Sequence, residues 1–161
     1  MKKVKTIVMI FLCGFMIVSL TGCINKQAIT SENFKIKMES RGFEVQDVTY
    51  QFEDLSYKSE YYSYMNKALL ASNNKYQIIF YETKDTHLAE SIYNKSVKDF
   101  KRDGKSVKYT SVNFGNHAKY TLINDDIYST VSGIDNTIIY LSNVNIEHKS
   151  EIEDILEELG Y

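Results

Sequence analysis

The chain has 161 residues, with no Pro, no Trp and only 7 Gly against 13 Tyr and 8 Phe, which is long enough for one domain and too short for two ordinary ones. Its 43% hydrophobic and 25% charged content excludes a disordered, collagen-like or low-complexity protein. The formal charge of -2 conceals an asymmetry: Lys2, Lys3 and Lys5 stand in 22 residues without Asp or Glu, while the remainder holds 16 basic and 21 acidic residues, net -5, with no basic block that would bind nucleic acid.

The leading lysines are followed by an apolar run from Ile7 to Val18 and then by Ser19-Leu20-Thr21-Gly22-Cys23. These are the basic, apolar and small-residue regions of an export signal. An apolar helix of this length covers roughly 18 Å, short of the roughly 30 Å hydrocarbon core, so a cleaved signal is expected rather than a permanent span. Leu20-Thr21-Gly22-Cys23 resembles the lipobox of bacterial lipoproteins. The resemblance implies recognition of Leu20, Thr21 and Gly22 by the lipoprotein signal peptidase, diacylglycerol on the Cys23 thiol, and often a further acyl chain such as palmitate on the new amino terminus. Residues 1–22 are then the signal peptide, 23–29 a lipidated short tether and 30–161 a single domain. The first partner is the cell membrane, at its extracytoplasmic face. Cys13 lies in the leader, so the exported chain keeps Cys23 alone and has no disulfide or thiolate metal site.

In the body, Thr30 is a helix N-cap with Ile29 and Phe34 as a hydrophobic staple, and Gly42-Phe43 is a left-handed stop. Phe43 to Thr49 alternates weakly as a strand. A polar aromatic stretch runs from Tyr50 to Asn66. Lys67–Ser72 and Lys75–Glu82 read as strands joined at Asn73-Asn74, because Asn tolerates positive φ. A second helix spans about Asp85 to Arg102, with Leu88, Ala89, Ile92, Tyr93, Val97 and Phe100 on one stripe. Three or four strands follow, over Ser106–Phe114, His117–Ile123, Ile127–Ile134 and Thr137–Val144, separated by the turn formers Gly115-Asn116, Asn124-Asp125-Asp126 and Asp135-Asn136. The last helix, about Ile146 to Leu159, places Ile152, Ile155, Leu156 and Leu159 on one face, and Gly160 stops it.

This order predicts an α+β fold: a mostly antiparallel sheet in two β blocks, with helices packed on it and covering one face. Two β-rich blocks around a central helix are similar in element order to the Mog1/PsbP-like arrangement. Arg41-Gly42-Phe43-Glu44-Val45 and Asp135-Asn136-Thr137-Ile138-Ile139-Tyr140 resemble small lipoproteins of Firmicutes without a characterised activity, so that resemblance implies none.

Catalytic chemistry has no motif here. His87 with Glu90, and His148 with Glu151, stand one helical turn apart, but a zinc helix needs two His four apart with a Glu between. Gly-x-Ser-x-Gly and the glycine-rich phosphate loops do not occur, and Asp125-Asp126 and Asp135 read as turn chemistry rather than a calcium loop. No cofactor or metal is expected. Tyr57, Tyr61, Tyr62 and Tyr64 crowd a segment too polar for a core strand, and Tyr offers rigid amphipathic contact area for a partner. Tyr109, Tyr120, Tyr128 and Tyr140 are expected instead to form cross-strand ladders. Glu147, Glu151, Glu153, Asp154, Glu157 and Glu158 give the last helix an acidic outer face. The function expected from sequence is a lipid-anchored binding or interaction module at the cell envelope, its partner an envelope protein or cell-wall component and the four tyrosines its candidate contact. The alternative is an envelope hydrolase whose site is assembled from dispersed Asp, Glu or His.

Overall fold

The computed structural model describes residues 25–53, 64–102 and 108–161. The elements are α1 (Ser31–Ser40), β1 (Glu44–Asp47), the single-turn α2 (Tyr50–Glu53), β2 (Met65–Ser72), β3 (Gln77–Thr83), α3 (Thr86–Arg102), β4 (Lys108–Phe114), β5 (His117–Asn124), β6 (Ile127–Ile134), β7 (Thr137–Asn145) and α4 (Lys149–Glu158), which a short 3₁₀ turn at Ile146–His148 precedes. The fold is α+β. The strands of the described residues join one antiparallel sheet in the order β1-β2-β3-β7-β6-β5-β4.

The two β blocks expected from sequence are therefore one sheet, welded where β3 meets β7 with Ile79 opposite Tyr140 and Tyr81 opposite Ile138. The helices differ from the expectation: they divide over both faces instead of covering one. Phe34 and Met38 of α1 and Ile152, Ile155 and Leu156 of α4 pack with Phe80, Ile139 and Leu141 on one side. On the other, Ala89, Phe100 and Val97 of α3 pack on Tyr120, Val131 and Ile138, with Phe52 of α2 beside Met65 and Ala68. The physical reason lies in β7. Ile138 points to one face, Ile139 and Leu141 to the other, and all three are buried, so both faces need a cover.

Local chemistry sets the ends of these elements. The Thr30 hydroxyl accepts from Asn33 N–H, and Gly42 at φ 82 lets Phe43 N–H reach Met38 C=O, the expected left-handed stop. Phe34 then stacks on Phe80 at 4.7 Å between ring centres; burying such a ring stabilises by roughly 2–3 kcal/mol. At the other end of the chain, Gly160 at φ 92 turns Tyr161 back so that its N–H meets Leu156 C=O. The β2–β3 turn is made differently from the expectation. Positive φ occurs at Asp125, Asp135 and Asn143 but not at Asn73 or Asn74; instead the Asn73 carboxamide oxygen accepts from Lys75 and Tyr76 N–H, an Asx turn that needs no strained backbone. Asn143 marks a bulge in β7, where its N–H donates to Ser129 Oγ across the register shift.

The predicted tyrosine ladder is split by the pleat. Tyr109 and Tyr120 stack at 5.8 Å, and Phe100 of α3 stacks on Tyr120 and Tyr140, whereas Tyr128 is buried on the opposite face among the α1 and α4 contacts. No helix among the described residues is long and apolar enough to cross a membrane.

Candidate functional site

Cys23, its recognition residues Leu20, Thr21 and Gly22, and Tyr57, Tyr61 and Tyr62 lie outside the described residues. Tyr64 precedes β2, exposed, with its carbonyl accepting from Lys84 N–H. The concave surface of the domain is elsewhere. A cleft of about 380 Å³ opens between the first half of α3 and the tips of the β4–β5 and β6–β7 hairpins.

Its floor is apolar and closely packed: Ala89, the Tyr93 ring, Gly133 and Ile138. Gly133 leaves little room for a side chain: a Cβ there would lie 2.7 Å from Ile138 Cδ1, which would have to shift, and in ordinary contact with the Tyr93 ring at 4.0 Å. Thr86, Glu90 and Asn94 from α3, Asn113 and Asn116 from the β4–β5 hairpin and Asp135 from the β6–β7 turn form a polar rim. Among the described residues no Lys or Arg lines it.

The rim is held by hydrogen bonds that tie separate turns together. Asp85 Oδ1 caps α3 by accepting from Leu88 N–H. Thr83, just before it, receives the Asn136 side-chain amide at its carbonyl and donates its own N–H to Asn136 C=O. Asp135 N–H donates to Asn116 C=O, which links the two hairpin tips. Asn116 then clasps the approaching chain: its Oδ1 accepts from Lys26 N–H at 2.9 Å and its Nδ2 donates to Lys26 C=O at 2.8 Å. Such a linked frame fixes the rim before any ligand arrives, which is the condition for recognition without a large ordering cost.

His117 also borders the cleft, but its imidazole is committed elsewhere. Nε2 shares a hydrogen bond with Ser132 Oγ at 3.0 Å, and burial, then Lys26 and Lys119, lower its pKa to about 4. A base so far below neutrality is poorly matched to acid–base catalysis near pH 7. His117, Ser132, Thr121 and Thr130 form a buried polar seam between β5 and β6, with Thr121 and Thr130 hydroxyls 3.0 Å apart. Among the described residues no group of three His, Cys, Asp or Glu is placed to hold a metal ion. His87 and Glu90 are exposed on α3, and His148 Nδ1 stands 4.0 Å from Glu151 Oε2. The acidic face of α4 is partly paired: Glu151 with Lys75, Glu153 with Lys149 and Glu158 with Arg41.

A smaller hollow of about 260 Å³ lies further along α3, between Phe52, Met65, Tyr81 and Tyr140 on the sheet side and Ile92, Ser96 and Asp99 on the helix. Asn94, Asn113 and Asn116 carry no sequence signal that separates them from other turn and surface asparagines; only the convergence of three distant segments makes them a site. No family model, curated protein or solved structure matches the chain.

Proposed function

We propose that the chain is a lipid-anchored binding module at the extracytoplasmic face of the cell membrane, and that the cleft between α3 and the hairpin tips takes a neutral, hydroxyl- and amide-bearing ligand, a saccharide component of the envelope. The lipobox resemblance at Cys23 supplies the anchor. The observation that carries the rest is the rim itself. Asn and Thr side chains donate and accept, Glu90 and Asp135 accept, and no Lys or Arg is among the described lining residues. An apolar floor with an aromatic ring and a few convergent polar groups is the usual make-up of a small-ligand site.

Tether geometry supports the same reading. Three residues lead from Cys23 to Lys26, a reach of roughly 10 Å, and Lys26 is clasped by Asn116 on the cleft rim. A lipid on Cys23 holds the cleft close to the bilayer surface, within reach of envelope components there.

Titration of the full chain in detergent with a soluble N-acetylated oligosaccharide tests it. Amide signals of Asn94 and Asn113 are expected to shift, and Asn94→Ala and Asn113→Ala to abolish the response. Shifts confined to other regions, or none, would falsify the saccharide assignment, and cleavage of the oligosaccharide would replace binding by the hydrolase alternative. The anchor is tested apart from the ligand: Cys23→Ala is expected to lose incorporation of labelled fatty acid and to leave the membrane fraction.

A further inference from the structure

The two edges of the sheet are built in opposite ways. β1 is short and carries Glu44 and Asp47 at its ends, and charge together with brevity is how sheets block further pairing. β4 is less protected: it is seven residues long, and its one charge, Lys108, stands at its start. Its register with β5 runs unbroken from Lys108–Ile123 to Phe114–His117, without a bulge, Pro or charged residue after Lys108. It also exposes apolar side chains on both faces: Tyr109 is 65% exposed on the α3 side, and Val112 and Phe114 are 48% and 60% exposed on the other.

The pairing with β5 determines which backbone groups are free. Phe114 and His117 close the two-residue turn Gly115-Asn116, and the closing pair of such a hairpin exchanges both of its hydrogen bonds. Phe114, Val112, Thr110 and Lys108 thus turn their N–H and C=O toward β5. Asn113, Ser111 and Tyr109 turn theirs outward.

We infer that β4 is a homodimerisation edge, pairing antiparallel with β4 of a second copy about a twofold axis through Ser111. The occupant is selected by self-complementarity. In this register Ser111 faces its own counterpart, Tyr109 faces Asn113 and Asn113 faces Tyr109, so every outward N–H and C=O of the three finds a partner. Side chains opposite each other then lie on the same face of the joined sheet, as the pleat requires. Thr110 meets Val112, and Lys108, the strand's only charge, meets Phe114 instead of another lysine. Self-pairing therefore brings no like charges together and covers the exposed Val112 and Phe114. An isologous twofold contact of this kind is the commonest form of homo-oligomer.

The experiment uses the full chain in detergent with Ser111→Cys, because opposed residues of a hydrogen-bonded antiparallel pair sit about 5.5 Å apart at Cα, within disulfide range. Mild oxidation is expected to join two chains through position 111, identified by mass spectrometry of the linked peptides. Lys95→Cys, on the exposed side of α3, is expected to give at least tenfold less linkage through position 95. Equal linkage at the two positions, or none at 111, overturns the proposal. A second variant tests the backbone: Ser111→Pro removes the outward N–H on the axis while leaving the β5 pairing intact, an arrangement tolerated on an edge. Sedimentation is expected to find the parent chain dimerising with concentration and Ser111→Pro monomeric with an unchanged fold by circular dichroism. A parent chain that stays monomeric at several hundred micromolar overturns the proposal independently.

Discussion

Arg41, just past the end of α1, places its guanidinium on the carboxylate of Glu158 in the last turn of α4, with Nε 2.7 Å from Oε2. Lys37 Nζ reaches the Glu158 carbonyl at 2.6 Å. An acidic residue in a last turn opposes the helix dipole, and the two cations from α1 offset that cost while clamping the helices together. Both side chains of the Arg41–Glu158 pair are about a third exposed or more, so the coupling is modest. Arg41→Ala is expected to cost about 0.5–1 kcal/mol. Glu158→Gln is expected to cost less, because it also removes the unfavourable charge. A double-mutant cycle by urea denaturation, at low and high salt, measures the coupling and its screening.

The floor of the cleft yields a test of packing. Gly133→Ala brings a methyl within 2.7 Å of Ile138 Cδ1, and Ile138 is buried, so the variant is expected to lose about 1–3 kcal/mol. Ile138→Val removes the atom in conflict. Gly133→Ala combined with Ile138→Val is expected to be more stable than Gly133→Ala alone, a reversal that thermal melts of the three chains would show.

Two buried tyrosines are expected to respond oppositely to loss of their hydroxyls. The Tyr161 hydroxyl is hydrogen-bonded to Thr137 Oγ1, and Tyr161→Phe is expected to cost about 1 kcal/mol, leaving the Thr137 hydroxyl with the Ile134 carbonyl it already reaches. The Tyr128 hydroxyl is buried with no hydrogen-bond partner among the described residues, and burial, then the charge of Glu153, raise its pKa to about 12. Tyr128→Phe discards a desolvated polar group at no loss of pairing, and its melting temperature is expected to equal or exceed that of the parent.

Acid acts through two groups in separate windows. His117 is held neutral by burial and by Lys26 and Lys119, with a pKa near 4 against an ordinary value of 6.5. The unfolded chain therefore binds its proton first, and stability is lost as pH falls from about 6.5 to about 4, by up to ~3 kcal/mol. Asp47 works lower. Hydrogen bonds from Lys67, then from the Thr49 side chain and backbone, hold its pKa at about 2 against 3.8, so its contribution is present above about pH 4 and lost as pH falls toward 2. That carboxylate is about half exposed, which keeps the loss below about 1 kcal/mol. His117→Gln is expected to flatten the upper limb of the stability profile and Asp47→Asn the lower, each without affecting the other.

Much of the architecture was legible because it is local. Thr30, Gly42 and Gly160 act within a turn of their own position, the Ile152–Leu159 stripe needs only helical spacing, and Gly115-Asn116 and Asp135-Asn136 close neighbouring strands. The join of β3 to β7 was not, since nothing near Tyr81 or Ile138 specifies a partner so far away in sequence. The burial of α3 and α4 on opposite faces was within reach, because Ile138-Ile139-Tyr140-Leu141 is an uninterrupted apolar run of the kind a doubly covered strand requires. The cleft was out of reach for the same reason as the join: Asn94, Asn113 and Asp135 are ordinary polar residues until three remote turns are bonded to one another.

That β3–β7 seam also orders events in time. Strands β4 to β7 pair with sequence neighbours and close short loops, whereas Ile79 finds Tyr140 only after the whole meander and α3 lie between them. Long-range pairings pay their loop entropy before any contact rewards it, so the meander is expected to assemble first and the β2–β3 hairpin to dock last. Until it does, β7 is expected to present a bare edge. The interval between those two steps is when the chain is most exposed to aggregation, and a slow final phase sensitive to Ile79→Ala but not to changes in β4 is its kinetic signature.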